Sequence, residues 1–329
     1  MEKLAQYALG LKTYFFLDVL NNAGFLPAIS TFEPGVLPGD KIGLIDSAGY
    51  EEAVVASCNP TWTTHTFGNE LTWALKELGI YKEFCYDNLI AEMKRNQQLY
   101  KLSSHQAFLK IVRDFMSHAL ANSALLNAFF GDTSSANNKL TAINGVFKQV
   151  AAFVTADASR RTKILDGSSQ EDNSAFATAG NATKYLRKLI TDSNILLRNA
   201  EDAEILMTQA TWDALADDMM LQKGMYVEPV WKSLFGGLKE TTWQGYRVVV
   251  VPAFDLIAGT VQNNALASTP YYALFTTKSN IRIGSVNSKE AGISEVDIND
   301  DNRTKTTLVD AQYSIGVVVP DGRLVQVMY

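Results

Sequence analysis

Histidine and cysteine are nearly absent: the 329 residues contain three and two of them. Cys58 and Cys85 are too few for a disulfide scaffold and too far apart for a CxxC site, so they read as two partly buried thiols in a reducing compartment. His65, His105 and His118 form no HxxxH or HExxH pattern, so a zinc centre built on them is excluded and each reads as a polar or half-buried side chain. No apolar run approaches the length of a membrane span. Met1-Glu2-Lys3-Leu4 lacks the basic-then-apolar layout of a secretory signal. These absences predict a soluble protein made in a cytosol. Positive charge is also short. The net charge is −6 and the pI about 5.2, against a sequence-reading nucleic-acid binder, although not against a protein that encloses nucleic acid.

Catalytic and cofactor motifs are missing as well. There is no GxGxxG and no GxxxxGK[ST], and Gly236-Gly237 stands without a phosphate-loop context. Ile45-Asp46-Ser47-Ala48-Gly49 resembles a nucleophile elbow, but its first glycine is missing and no helix follows, so Ser47 is rejected as a nucleophile. Asp297-Ile298-Asn299-Asp300-Asp301 opens like a calcium loop. Asn302 and Leu308 then stand where that loop needs glycine and glutamate, which leaves a solvated turn as the reading. Arg160-Arg161-Thr162-Lys163 is the one compact basic run, and it fits either a solvated loop or a contact with an acidic partner. The five tryptophans are too dispersed for a stacking platform and read mostly as core. No catalytic residue, cofactor or metal is expected.

What the chain does have is core-forming sequence. Hydrophobic residues make up 47% and charged residues 19%, enough to bury a large domain or two ordinary ones. The longest periodic stretch runs from Ser103 to Phe130. Ser103 and Gln106 have capping-box spacing. Phe108, Ile111, Val112, Phe115, Met116, Ala119, Leu120, Leu126, Phe129 and Phe130 then follow a 3.6-residue period until Gly131-Asp132 stops it. A helix of that length would measure roughly 40 Å, long enough to serve as a strut. An ordinary long core helix is the alternative.

Around that helix the order is legible. Leu4, Tyr7, Ala8, Leu11, Tyr14 and Phe15 form an aromatic N-terminal helical stripe. Residues 30–68, punctuated by Pro34, Gly35, Pro38, Gly39, Gly43, Gly49, Pro60 and Gly68, read as a long β-hairpin with extended pieces at 41–46 and 51–57. It has too little apolar sequence to bury itself, so it is expected to lie against another chain. Two strands are predicted in 61–90 and a short helix at 87–95. Ser134–Asn138 reads as a polar loop, Asn144–Phe147 as a turn into a short apolar piece, and the polar stretch 155–181 as a long exposed loop. Helices follow at 183–198 and 212–221, with a buried strand at 204–207 between them. Val248–Val251 has a central-strand signature. Strands close the chain at 271–277, 281–285, 293–298, 306–309, 313–319 and 324–328, the last two joined by a hairpin at Asp321-Gly322. This is α+β order rather than alternating βαβ.

The layout resembles the major capsid proteins of tailed phages, the Hong Kong 97 type of fold, which encapsulin shells share. Four local pieces carry the resemblance along with their order: Phe129-Phe130-Gly131-Asp132 with Ile143-Asn144-Gly145-Val146-Phe147; Glu204–Thr208 with Thr211–Leu215; Trp243–Val248; and Tyr271–Phe275. The resemblance implies an N-terminal arm (1–40), an extended hairpin loop (41–66) and a peripheral domain of strands and spine helix (67–139). It further implies a mainly axial domain (140–275) and returning strands (276–329). The implied function is that of a head protein assembling through pentamers and hexamers into an icosahedral shell around a DNA genome. The chain would be made and assembled in a host cytoplasm and located in the virion. Implied partners are copies of itself, a portal, and scaffold or decoration proteins; an arm starting at Met1 would make any scaffold a separate chain. No membrane and no sequence-specific DNA contact is implied. Candidate subunit contacts are Tyr14 and Phe15 in the arm and Tyr50, Glu51 and Trp62 in the hairpin. Lys41 lies near the loop, but nothing pairs it with a crosslinking partner. An encapsulin-type shell, or an α+β enzyme using scattered acidic residues, are the alternatives.

Overall fold

Four consecutive valines cannot alternate between core and water, so Val248–Val251 requires a strand covered on both faces. The computed structural model, which describes residues 26–43, 70–85, 123–135, 140–166, 168–223, 232–233, 239–251, 254–255, 270–286, 296–301 and 306–329, shows such a strand. In chain order the elements are α1 (Leu26–Ile29), β1 (Thr31–Pro34), β2 (Lys41–Gly43), β3 (Glu70–Thr72) and β4 (Lys76–Cys85). A helical stretch at 123–130, α2, follows. Next come α3 (Val146–Ala156), β5 (Arg161–Thr162), α4 (Asn181–Asp192), α5 (Ile195–Arg198), β6 (Ala203–Met207) and α6 (Gln209–Lys223). The chain then turns to strands: β7 (Lys232–Ser233), β8 (Lys239–Trp243), β9 (Tyr246–Val250), β10 (Ala273–Thr277), β11 (Arg282–Ser285), β12 (Val296–Asp301), β13 (Thr306–Val318) and β14 (Val325–Met328).

Seven strands form one sheet in the order β5-β14-β10-β6-β9-β8-β7, with β6 and β9 parallel at its centre. The two-residue period of a strand divides its side chains between two cores. Leu206, Val249, Leu274 and Val327 join Phe129 of α2 and Phe147 and Val150 of α3. Ile205, Met207, Val248, Val250, Phe275 and Met328 join Leu186 and Leu189 of α4 and Trp212 and Leu215 of α6. The N-termini of the covering helices are tied by carboxylates from other elements. Asp218 accepts from the Gly180 and Thr183 amides, at 2.6 and 3.0 Å. Asp255 accepts from those of Gln209 and Ala210, at 2.7 and 3.2 Å. A helix end leaves such amides without internal partners, so these contacts fix where each helix begins.

A second sheet runs β1-β11-β13-β12, with β4 also on β13. Its long member β13 pairs with β4 from Thr306 to Ile315 and with β11 through Gly316–Val318. The first core cluster reaches across to this sheet through Ile283, Ile315 and Val317. Trp73 and Leu75 lie on it where Gly284 and Gly316 face each other across the β11–β13 pair. Tyr313 OH meets Ser123 Oγ at 2.7 Å, tying α2 to β13. β2 and β3 form a two-stranded pair, Gly43 opposite Glu70.

The exit from α2 is the tightest crossing. Gly131 donates to Asn127 O at 3.1 Å, and Gly145 donates to Gly131 O at 2.8 Å. A Cβ on Gly131 would stand 2.5 Å from the carbonyl oxygens of both Asn127 and Ile143. One on Gly145 would stand 2.7 Å from Ala128 O. Beneath the crossing, Phe129, Phe130, Phe147 and Phe254 pack with ring centroids 4.8 to 5.8 Å apart, mostly edge to face.

Several sequence expectations change. The stretch 155–181 is not an open loop. It carries 3₁₀ turns at Ala158–Arg160 and Asn173–Ala177, buries Ile164 and Phe176, and is locked by Asp157, Asp166 and Asp172, each accepting from the amide two residues on. Such Asx turns let polar sequence hold a fixed path. The single helix expected at 183–198 is two, because Asn194 caps α5 and Ser193 bonds back to Ile190 O. The apolar piece at 146–147 is the first turn of α3. Thr31–Pro34, read among turns, is a strand. Asp297–Asp301 belongs to a strand rather than a turn, and the separate strands at 306–309 and 313–319 are one. Asp321-Gly322 makes no hairpin: Asp321 caps a 3₁₀ turn, and the strands on either side enter different sheets. Most of the expected long helix, residues 103–122, and the short one at 87–95 lie outside the described residues.

Replacing Gly131 with alanine is expected to lower stability by about 1–3 kcal/mol, since two backbone carbonyls must move. Urea unfolding followed by circular dichroism measures this, and a change under about 0.5 kcal/mol would show that the crossing tolerates a side chain.

Candidate functional site

Tyr14, Phe15, Tyr50, Glu51 and Trp62 lie outside the described residues, as do Ser47 and all three histidines. Trp73, Trp212 and Trp243 are buried, as expected. Among the described residues no group of three or more His, Cys, Asp or Glu is placed to hold a metal ion, and no helix is long and apolar enough to cross a membrane. The basic run makes its contacts inside the subunit. Arg160 pairs with Asp157 at 3.2 Å, Arg161 with Glu171 at 3.0 Å, and Lys163 with Glu171. The Arg161 guanidinium also lies 4.1 Å from the centroid of the Tyr329 ring. An open cleft of about 120 Å³ is lined by Asp157, Ser159, Arg160, Asp192, Arg323 and Gln326. Its charges are engaged too: Arg323 with Asp321 at 2.7 Å, and Asp192 with Lys188.

What the fold exposes is strand surface. β4, β13 and β12 make a ribbon, with Tyr81 opposite Asp310 and Leu308 opposite Glu83. Cross-strand partners share a face, so Tyr81 and Leu308 stand on the same side, 68% and 47% exposed. Leu37, Ile195 and Leu221 are also more than half exposed. β2 and β3 bring the two ends of residues 44–69 side by side, as the base of a projecting hairpin requires. Lys41 pairs with Glu70 across that base, and both are well exposed.

One charged group is misplaced for a strand core. Glu204, in the fully buried β6, faces Arg247 in register on β9 and forms an ion pair with it. Arg247 also bonds Glu240 at 2.9 Å and Ala28 O at 2.9 Å. Glu204 Oε1 has no partner. Burial pushes the Glu204 carboxyl up to about 7 against the opposing pull of Arg247. Burial also disfavours the Arg247 cation, but Glu240 and Glu204 outweigh it and raise that group. The sequence reading passed over this pair. The available signal was a single charge in each of two apolar strands, Ala-Glu-Ile-Leu-Met and Tyr-Arg-Val-Val-Val.

The chain shares its overall fold with solved phage capsid structures. The satellite phage P4 procapsid, solved with its size-determination protein, matches 96% of this chain and 98% of its own at 10% identity and a TM-score of 0.55. A Gordonia phage Cozz chain matches over 93% of this chain and 85% of its own at 12% identity and a TM-score of 0.58. The capsid of Myoviridae phage XM1 does so over 93% and 91% at 11% identity and a TM-score of 0.53. No protein-family profile matches the chain, and no curated protein matches it in sequence.

The raised Glu204 value sets a pH dependence. A carboxyl at about 7 when folded and 4.5 ordinarily binds its proton more tightly in the folded chain. Its contribution to stability is therefore full below pH 4.5 and is lost as pH rises to 7, a difference of about 3 kcal/mol. Urea unfolding of Glu204→Gln from pH 4.5 to 8 is expected to lack that fall. If wild type and variant trace parallel curves, the group does not titrate as described.

Proposed function

We propose that the chain is the major capsid protein of a tailed phage, self-assembling through pentamers and hexamers into an icosahedral shell that encloses a DNA genome. The observation that carries this is end-to-end correspondence with a procapsid protein, 96% of one chain on 98% of the other. The subdomain reading is residues 1–40 as arm, 41–66 as projecting hairpin, 67–139 as peripheral strands and spine, 140–275 as mainly axial, and 276–329 as returning strands.

Physical features of the chain support the same reading. A shell subunit needs surfaces that become buried on copies of itself rather than a reaction centre. The exposed Tyr81–Leu308 face is of that kind. An acidic chain, −6 overall, encloses DNA without gripping it, since like charges repel. Tyr14, Phe15, Tyr50, Glu51 and Trp62 are proposed as subunit contacts. A portal, and scaffold or decoration proteins, are proposed as further partners, with assembly in the host cytoplasm.

Light scattering on the purified chain, with negative-stain microscopy of the heavy fraction, tests the proposal. Closed shells or capsomer-sized rings are expected. Deletion of residues 44–60, which keeps β2 and β3, is expected to leave a cooperatively folding subunit that forms neither. A chain that stays monomeric at high concentration, even with a co-expressed scaffold, would overturn the reading. Shells formed by the deletion variant would overturn the role given to the hairpin.

A further inference from the structure

We infer that Glu204 and Arg247 form a proton-operated hold on the chain segment that runs from Ala28 into β1. The inference stands on the geometry of the subunit and does not depend on the shell reading.

Arg247 donates from Nη1 to the backbone of α1, at Ala28 O, over 2.9 Å. The same Nη1 faces Glu204 Oε2, while Nη2 reaches Glu240 at 2.9 Å. One guanidinium therefore serves two carboxylates and one carbonyl. The Glu204 contact is what points Nη1 toward Ala28. The two acids are not equivalent: Glu204 is 1% exposed with one oxygen unpartnered, while the Glu240 side chain is 20% exposed. A proton entering the cluster therefore goes to Glu204, where ionisation is most costly. Two other charges face it from neighbouring elements. Lys278, in the turn after β10, favours the ionised form, and Asp202, in the turn before β6, opposes it.

Once Oε1 is protonated, Glu204 offers Nη1 only a neutral acceptor at Oε2, a weaker anchor than the ion pair. The guanidinium keeps one full charge partner, Glu240, and turns toward it, leaving Ala28 O without its donor. The segment then keeps the buried Ile29 with Ala28 and Phe32 on the first core, a four-residue parallel pairing of β1 with β11, the Thr31 amide on Ile281 O at 2.8 Å, and the partly exposed Arg282–Glu33 pair. Hold and fold thus respond to pH in opposite directions. Ionising Glu204 costs the sheet stability but fastens the segment, and protonating it does the reverse.

Hydrogen exchange with mass spectrometry on the full chain tests this, with rates divided by the intrinsic rate at each pH. In wild type, protection of peptides covering residues 28–36 is expected to fall about tenfold from pH 8.5 to 5.5, the loss of one charge-assisted bond. Peptides covering β6 and β10 should not follow. In Glu204→Gln the segment should be weakly protected at both values. Equal segment protection at the two pH values in wild type would overturn the inference. So would a fall that persists undiminished in the variant, since another group would then be titrating, or a fall shared by β6 and β10, which would be global loosening.

Discussion

A sheet covered on both faces gives its side chains no water, and most of this subunit follows from that constraint. Once β6, β9 and β10 are buried front and back, helices must lie on both sides, and both helix pairs must be held at their ends because propensity alone fixes neither position. The carboxylates of Asp218 and Asp255 supply that hold for α4 and α6. On the opposite face, two glycines let α2 turn into α3 at backbone contact, so that four phenylalanines fill the space under the crossing. The same absence of water makes Glu204 costly to ionise, and Arg247 offsets that cost from within the sheet, with Lys278 adding to it from the turn after β10.

Where burial is uniform, the sequence could be read directly. Val248–Val251 and Glu204–Met207 contain too few polar positions for a surface strand, and both are central. The end of α2 was legible because Gly131 and Gly145 are residues whose replacement would collide with backbone. The misreadings share another cause: composition was taken for conformation. Asp310, Ala311 and Gln312 interrupt an apolar pattern, yet β13 continues through them because backbone pairing with β4 and β12 ignores side-chain polarity. The Asp- and Ser-rich stretch after α3 looked like open loop, while its aspartates cap successive turns over a buried Ile164 and Phe176. Asp321-Gly322 carried a local hairpin signal, but partner choice is not local. Val318 ends in one sheet and Val325 begins in the other. Tyr50, Glu51 and Trp62 stand out as proposed contacts because the 30–68 stretch has too little apolar sequence to bury itself, while the aromatic stripe with Tyr14 and Phe15 suits packing on its own domain or on a neighbour.

The two-sided core also explains how the N-terminal segment is attached. From residue 123 onward the chain supplies nearly all of both main clusters. Residues 26–43 and 70–85 add Ile29 to the first, pack Ala28, Phe32 and Leu78 against it, and build a small separate cluster from Val36, Ile42, Trp73 and Leu75 with Val318. The segment from α1 to β1 is therefore laid on a framework that closes without it. Its anchors are the buried Ile29 with Ala28 and Phe32 on the first core, a short edge pairing and the Arg247 contact. An element attached that way can change its docking at a cost set by a few hydrogen bonds, while the sheet beneath it would have to lose a whole hydrophobic face to move. The fold thus separates a two-sided sheet from an N-terminal segment held to it by a few contacts. The fastening point at Arg247 then matters more than its small energy suggests, because it lies on the boundary between the part that cannot yield and the part that can.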